Sequence, residues 1–230
     1  MYKEHPEIKT PNRETVIWRY LDLWKFLDLL DSNKLYLSRA DKFEDDVFEG
    51  RVPKREVSEL EKNHPLKRVD NFSERTLKKC HYISSWSKEE NETYPLWKVY
   101  SDYRSAIAIK STIGSLIDSI EHSEGDQYIG LVKYINPKAP YFFKGNMFQL
   151  FLEKREYFKF ENEVRLITIL DYKNTEELLL LPEGIRIKTN INTLIEEIYL
   201  APKANQNFKS LIELKLKSID LMKKVNYSDI

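Results

Sequence analysis

The sequence contains little cysteine and glycine and no excess of either charge. Cys80 is the single cysteine among 230 residues, so no disulfide can form within the chain, and a lone thiol suits a reducing compartment. Lysine plus arginine and aspartate plus glutamate number 37 each, which gives no global attraction to nucleic acid or to an anionic membrane. A local basic patch remains compatible with this balance. We therefore expect a cytoplasmic protein without disulfides.

Motifs of membrane-spanning and cofactor-binding proteins are missing as well. No segment approaches the ~20 consecutive apolar residues of a membrane span, and the polar start of the chain lacks the apolar core of a signal peptide. With six glycines there is no Walker loop and no G-x-G-x-x-G turn, which argues against ATP and Rossmann-type binding. We expect no metal site, because metal-ligand spacing is absent among the histidines, which are His5, His64, His81 and His122.

The sequence does contain enough large side chains to fill one sizeable core. Aromatic residues make up 13% of the chain, and no segment resembles a linker. We therefore predict a single domain over residues 1–230, with a core from 14 to 203 and a C-terminal helix and tail from 204 to 230. Predicted strands outnumber predicted helices, which favours an α+β fold.

Hydrophobic periodicity and capping residues predict the individual elements. Thr15 to Tyr20 is rich in β-branched and aromatic residues and predicts the first strand. Asp22 suits the N-cap of a following helix, and Asn33 suits the left-handed residue at its end. The same reasoning predicts later elements, among them a helix at 147–158 and strands at 160–170 and 178–181.

The segment Phe160 to Leu166, FENEVRL, has two carboxylates and a guanidinium at every second position. Side chains alternate across a strand, so Glu161, Glu163 and Arg165 are predicted to share one face. If that face is solvated, its charges form only weak cross-strand pairs. If it borders a cleft, the carboxylates are candidates for chemistry. The segment alone favours the solvated interpretation and leaves both open.

Two further segments suggest a binding pocket. Arg19 shares its strand face with Ile17 and Leu21, so its guanidinium leaves an apolar surface and needs an anion. A buried carboxylate and the phosphate of a ligand both meet that need. In the segment ISSWS, Ser85 and Ser87 share a face that suits the hydrogen-bonding wall of a pocket. No G-x-S-x-G elbow accompanies these serines, which argues against serine hydrolysis.

Several segments, taken in order, resemble a bacterial family known as domain of unknown function 2971. They are TVIWRYLD, DKFEDDVFEG, ISSWS with YPLWKVYS, and EKREYFKFENEVRL, and together they cover about Val16 to Ala201. The positions that match the family pattern are Arg19 in the first strand, Phe43 to Gly50 for an F-N-D-P-F-E-like loop, Ser85 to Ser87 before Trp97 and Tyr100, and Glu161 to Arg165 for E-x-E-x-R. The loop departs from the pattern by one extra residue and the lack of proline.

The order arginine, S-x-S, E-x-E also resembles the arginine-serine-glutamate class of ADP-ribosyltransferases. In that class the motifs lie on separate strands around an NAD cleft. The resemblance therefore implies two small, mostly antiparallel sheets around a cleft, with peripheral helices. It further implies that Arg19 holds the NAD phosphates, that Ser85 positions the nicotinamide ribose, and that Glu163 is the catalytic carboxylate. Glu161 would then orient the acceptor nucleophile.

The same resemblance extends to the remaining residues of these motifs. Ser87 and Arg165 are candidate NAD-binding residues within S-x-S and E-x-E-x-R. Three aromatic residues are candidates to stack on the nicotinamide or adenine ring, namely Tyr20, Trp86 and Tyr157. The sequence leaves open which of them does so. Trp86 departs from the class, because a small residue usually lies between the two serines.

The function implied by the resemblance is NAD binding with transfer of ADP-ribose, or hydrolysis of NAD, in a setting such as a bacterial toxin or phage defence. The acceptor, protein or nucleic acid, stays open, and no membrane partner is expected. Two other classes compete with this one. A non-catalytic nucleotide or nucleic-acid-binding module would use Arg19 and the basic residues of 147–159. A structural or interaction domain would keep a solvated glutamate face and would not bind NAD.

Overall fold

A computed structural model of the protein describes residues 1–43, 71–100, 103–136, 138 and 146–230. The predicted loop from Phe43 to Gly50 lies outside these ranges except for its first residue.

The strands are β1 (Val16–Asp22), β2 (Lys34–Arg39), β3 (His81–Ser87), β4 (Ala106–Thr112), β5 (Gln127–Leu131), β6 (Lys133–Ile135), β7 (Glu153–Arg155), β8 (Glu163–Ile169), β9 (Gly184–Lys188), β10 (Glu197–Leu200) and β11 (Lys224–Tyr227). The α-helices are α1 (Leu23–Ser32), α2 (Asn71–Cys80), α3 (Tyr94–Val99), α4 (Ile113–Ser119), α5 (Gln149–Leu152), α6 (Thr175–Leu180), α7 (Ile191–Leu194) and α8 (Gln206–Ser218). Short 3-10 helices span Ala40–Lys42 and Glu156–Glu161.

The strands form one branched, mostly antiparallel nine-stranded sheet and a separate parallel pair, β6 with β7. The predicted α+β fold is confirmed. One wing of the sheet has the order β11-β10-β4-β1, and the other contains β9, β2, β3, β8 and β5. The wings meet on one edge of β3, where Trp18 of β1 pairs with Ser87 and Ser38 of β2 pairs with Ile83. Between these two contacts β1 and β2 diverge, so the two predicted sheets correspond to two joined wings.

The unit β1-α1-β2 follows directly from its sequence. The Asp22 carboxylate accepts a hydrogen bond from the backbone N–H of Lys25 at 2.8 Å and caps α1. Asn33 ends the helix in the left-handed conformation, with φ of 51°. Both predicted caps are confirmed. The apolar side of α1 packs on the sheet through Phe26, Leu29 and Leu30, which are buried.

Helices cover both faces of the sheet and divide its core into separate clusters. The largest cluster lies on the face that carries Ile17 and Leu21 of β1, and α1, α4 and α8 pack against it. Two smaller clusters lie on the opposite face. One joins Trp18 of β1 to Trp97 of α3, and the other joins Ile83 of β3 to the buried side chains of α5. The face to which a strand residue points therefore decides which helices it meets.

Three predicted elements are wrong. The helix at 147–158 is limited to α5, because the chain then extends as β7, pairs with β6 and turns Lys154 into the interior. The strand at 178–181 is mostly helix α6, which begins where the Asn174 side chain accepts a hydrogen bond from the backbone N–H of Glu177 at 2.9 Å. The strand at 160–170 begins only at Glu163.

The segment after residue 203 contains more than a helix and a loose tail. α8 is followed by β11, which pairs in parallel with β10 and so extends the sheet. Asn226 donates a hydrogen bond to the Glu197 carboxylate at 2.9 Å, and the backbone N–H of Ser228 donates to Leu200 at 3.0 Å. Within the described ranges, no helix is both long and apolar enough to cross a bilayer.

Candidate functional site

The candidate site begins with the pairing of β3 and β8. Ser85 lies opposite Arg165 and Ser87 lies opposite Glu163, so these four side chains share one face of the sheet. Trp86 lies opposite Val164 and points to the other face. The predicted alternation of S-x-S and of Glu163 with Arg165 is therefore confirmed, and the register brings the two motifs together.

Glu161 reaches the same place by a different route. It ends the 3-10 helix Glu156–Glu161, and Asn162 turns the chain through a left-handed conformation, with φ of 42°, into β8. The prediction that Glu161 lies on the same strand as Glu163 is wrong for this reason. Its side chain nevertheless joins the site, because Lys154 of β7 extends to both carboxylates.

The four charged residues form a buried group, here called the carboxylate cluster: Lys154, Glu161, Glu163 and Arg165. Arg165 Nε donates a hydrogen bond to Glu163 Oε2 at 2.6 Å, and Arg165 Nη2 lies 2.5 Å from the same oxygen. Lys154 Nζ lies 2.5 Å from Glu161 Oε2 and 3.6 Å from Glu163 Oε1. All four side chains are 8% exposed or less. Of the two interpretations of this segment, the solvated face is therefore wrong.

Neutral groups complete the cluster and fix its orientation. The Tyr100 hydroxyl, at the end of α3, donates a hydrogen bond to Glu161 Oε1. Arg165 Nη1 donates to the Phe151 carbonyl at 2.8 Å. The backbone N–H of Glu163 donates to the Tyr134 hydroxyl at 2.8 Å. Each charged group is thus held by several contacts, which is the requirement for a preorganised site.

The two carboxyl groups have pKa values displaced in opposite directions. Burial disfavours the charged form of Glu163, but Arg165 and Lys154 outweigh burial and lower its pKa below the ordinary glutamate value. Burial and the nearby charge of Glu163 raise the pKa of Glu161, against the opposing effects of Lys154 and Tyr100. Glu163 is therefore held ionised, whereas Glu161 is the group that accepts a proton more readily.

Aromatic and hydroxyl groups lie beside the carboxylate cluster. Trp18 pairs with Ser87, so Trp18 and Tyr20 share the face of the cluster. Tyr20 packs edge-on against Trp97 at 5.0 Å between ring centroids and accepts a hydrogen bond from the Thr93 backbone. The Ser87 hydroxyl is buried with no hydrogen-bond partner among the described residues. This face therefore has unused hydrogen-bonding capacity next to Glu163.

Arg19 and Trp86 lie on the opposite face of the sheet. Arg19 donates to the Ser84 hydroxyl and, at 3.1 Å, to the Tyr36 carbonyl, and its guanidinium lies 5.5 Å from the centre of the Trp86 ring. The sequence predicts that Arg19, Ser85 and Glu163 surround one cleft. The structure does not bring them together, because Arg19 follows Trp18 and alternation turns it away from Ser87.

Sequence reasoning missed Lys154, which links both carboxylates, and Tyr134. The segment EKREYF suggests a helix, and in a helix Lys154 belongs to a solvated side. The available signal is the closeness of a lysine to E-x-E-x-R in the chain, because buried carboxylates need cations. Within the parts of the chain that the structure describes, no group of three or more histidine, cysteine, aspartate or glutamate side chains is arranged to hold a metal ion.

Comparison with known proteins identifies structural but not sequence similarity. No protein-family model and no curated protein matches the chain. Among solved structures, DarT from Thermus sp. 2.9 in complex with NAD+ aligns at 12% identity with a TM-score of 0.45, covering 95% of this chain and 97% of DarT. The same DarT in complex with ADP-ribosylated ssDNA aligns at 13% identity with a TM-score of 0.40, covering 96% of each chain. Both TM-scores lie below 0.5.

Proposed function

We propose that the protein is an ADP-ribosyltransferase-like enzyme that binds NAD beside the carboxylate cluster and transfers ADP-ribose to an acceptor or to water. One observation carries this proposal: two buried carboxyl groups share one lysine, and their pKa values are displaced in opposite directions. Pairs of acids separated in this way are typical of sites that use one as a fixed charge and the other as a proton acceptor.

Glu163 suits the role of the fixed charge. When the bond between the nicotinamide nitrogen and the ribose C1′ breaks, the electron pair leaves with nicotinamide and positive charge develops on the ribose. A carboxylate that is already ionised and oriented stabilises that charge more in the transition state than in the ground state. Arg165 keeps Glu163 ionised and limits its movement through two contacts to Oε2.

Glu161 suits the role of the proton acceptor. As the acceptor oxygen or nitrogen bonds to C1′, it loses a proton, and a carboxylate with a raised pKa takes that proton readily. With water as the acceptor the products are nicotinamide, free ADP-ribose and a proton. In this proposal Ser85 and Ser87 bind the nicotinamide ribose, and Tyr20 forms part of the wall. Arg19 and Trp86 are not assigned to the NAD site, because they lie on the other face.

The test is nicotinamide release from NAD by the purified protein and by Glu163→Gln. We expect release by the wild type and a loss of about a hundredfold or more in the variant, because one preorganised charged group contributes on the order of 3 kcal/mol. Glu153→Gln is the matched control, since Glu153 pairs with the exposed Lys133 at 3.6 Å and lies next to Lys154 in the chain. Its release rate should equal that of the wild type.

Folding must be measured in the same samples, because Glu163→Gln leaves Arg165 and Lys154 with less compensation in the interior. Circular dichroism and a melting curve identify a variant that has unfolded, and NAD binding by calorimetry then separates binding from turnover. Full release by a folded Glu163→Gln protein contradicts the proposal. The absence of both NAD binding and release by the wild type, alone and with cell extract as a source of acceptor, supports a purely structural role for the cluster.

A further inference from the structure

Glu161, the proposed proton acceptor, has little contact with solvent. Its side chain is 3% exposed, so its carboxylate offers almost no surface to an acceptor molecule that approaches from solvent. The two carboxylate oxygens also differ in their surroundings. The contact of Oε2 with Lys154 is buried, whereas the hydrogen bond that Oε1 accepts from the Tyr100 hydroxyl is only partly buried. The side of Glu161 that lies nearer to solvent is therefore the side of Tyr100.

Tyr100 joins this buried carboxylate to the protein surface. The residue is 37% exposed, and the preceding Val99 is 56% exposed. The family pattern contains Tyr100, yet neither the pattern nor the transfer step proposed above gives it a chemical role. A hydroxyl between a buried carboxylate and the surface has the position that a proton relay requires.

Helix α3 fixes the position of Tyr100. Leu96 and Trp97 are buried and attach the helix to the body of the protein. The helix ends at Tyr100, whose backbone N–H donates a hydrogen bond to the Leu96 carbonyl at 3.0 Å. Trp97 also packs against Tyr20, which forms part of the proposed NAD wall. One short helix thus places Tyr100 beside Glu161 and contacts the proposed NAD site.

A phenol hydroxyl suits the transfer of a proton between two groups. It has one hydrogen to donate and lone pairs that accept hydrogen bonds, and here Tyr100 donates its hydrogen to Glu161. The same oxygen can accept a hydrogen bond from the O–H or N–H of an acceptor. When the acceptor's proton moves to this oxygen, the original proton of Tyr100 moves to Glu161, and the tyrosine ends the step neutral.

We propose that Tyr100 is a further catalytic residue, which relays the proton of the acceptor to Glu161. This inference rests on the function proposed above. As the bond between C1′ and the nicotinamide nitrogen breaks, its electron pair leaves with nicotinamide, and an electron pair of the acceptor forms the new bond to C1′. The acceptor's proton passes to the Tyr100 oxygen while the Tyr100 proton passes to Glu161 Oε1.

A purely structural role for Tyr100 is the competing account. A buried carboxylate needs hydrogen-bond donors, and the Tyr100 hydroxyl stabilises Glu161 whether or not a proton moves. The other titratable groups near Glu161 are the same in both accounts, namely Lys154 of β7, Glu163 of β8 and Tyr134 of β6. The two accounts differ in whether the hydroxyl matters when the acceptor has no proton to lose.

The test is nicotinamide release from NAD by the wild type, Tyr100→Phe and Glu161→Gln, with and without sodium azide. Azide attacks C1′ as an anion and loses no proton, so its reaction needs no base. Without azide, Tyr100→Phe should keep the KM for NAD and lower kcat about tenfold or more, because general-base catalysis contributes about a hundredfold or more and water replaces the hydroxyl only in part. Azide should restore release by both variants and change the wild-type rate little.

Tyr94→Phe is the matched control. Tyr94 lies on the same helix and is 50% exposed, and among the described residues its ring contacts Lys98 and Tyr103. This variant should release nicotinamide at the wild-type rate. The double variant Tyr100→Phe/Glu161→Gln should be no slower than Glu161→Gln alone, because Tyr100 acts on the proton through Glu161.

The outcomes separate the relay from the proposed function. If Glu163→Gln loses release while Tyr100→Phe keeps the wild-type rate, the relay is wrong and the transferase stands. If Tyr100→Phe unfolds, or stays slow in azide, it lacks something other than proton removal, and the hydroxyl has a structural role. If the wild type neither binds NAD nor releases nicotinamide, alone or with cell extract, the proposed function fails and the relay fails with it.

Discussion

At the residue scale, the carboxylate cluster is notable because one lysine serves two acids. Lys154 lies closer to Glu161 than to Glu163, yet the pKa of Glu161 is raised and that of Glu163 is lowered. The difference arises from Arg165, which contacts Glu163 through Nε and Nη2. Two adjacent carboxyl groups seldom ionise equally, because each charge disfavours the other. Arg165 therefore decides which of the two carries the permanent charge.

This difference predicts how transfer depends on pH. Glu161 must be ionised to accept a proton, and its pKa is raised, so transfer should fall as pH decreases through a value above the ordinary glutamate range. In Glu161→Gln that acidic decrease should disappear, and the rate should fall by about a hundredfold or more. The measurement is the rate of nicotinamide release against pH for both proteins. An unchanged acidic decrease in the variant would assign it to another group.

At the element scale, the sequence predicts elements best where local chemistry determines the conformation. The β1-α1-β2 unit was predictable because Asp22 caps the helix and Asn33 ends it. The helix predicted at 147–158 was wrong because its periodicity came from buried side chains of α5, whereas the following β7 depends on pairing with β6. Such pairing, like the reach of Lys154 to Glu161, depends on contacts with other segments that a local pattern does not contain.

The left-handed end of α1 yields a stability prediction. Asn33 has φ of 51°, a conformation that glycine adopts freely and that costs residues with a Cβ roughly 1–2 kcal/mol. Asn33→Ala should therefore lower the free energy of unfolding by about 1 kcal/mol, and Asn33→Gly should leave it nearly unchanged or raise it. Urea unfolding of the three proteins measures this. Equal stability of the alanine and glycine variants would show that the helix end does not need the left-handed conformation.

At the scale of the whole molecule, the sheet separates Arg19 from the carboxylate cluster. Alternation within each strand was predictable, but the relation between the faces of β1 and β3 was not, since it depends on the pairing of Trp18 with Ser87. That register places Tyr20 with Glu163 and sends Arg19 to the opposite side. The motif order in the sequence therefore joined residues that the structure places on two different faces, and it could not show that they were separate.

Whole-molecule stability should also depend on pH through a histidine packed beside the site. His81 is buried, stacks on Phe151 at 4.3 Å and contacts the Leu77 carbonyl through Nδ1 at 2.7 Å, with Cys80 Sγ at 3.4 Å. Burial lowers its pKa to about 4. Between about pH 6.5 and 4 the unfolded chain therefore binds more protons than the folded chain. The free energy of unfolding should fall as pH decreases through that window, and the full contribution of His81 should be present above it.

The comparison of wild type with His81→Gln isolates this contribution. From pH 7.5 to pH 5 the melting temperature should decrease more for the wild type than for the variant, because only the wild type must keep a buried imidazole neutral. Acid sensitivity from other groups is common to both proteins and cancels in the difference. Equal decreases in the two proteins would show that His81 takes no part in the pH dependence.

The central claim is that NAD binds on the face of β3 that carries Ser85 and Ser87. The most direct measurement is a crystal structure of Glu163→Gln with NAD, since that variant should bind the substrate without consuming it. The account predicts the nicotinamide ribose within hydrogen-bond distance of Ser85 or Ser87 and of the side chain at position 163. NAD bound beside Arg19 on the other face of the sheet, with the carboxylate cluster untouched, would contradict it.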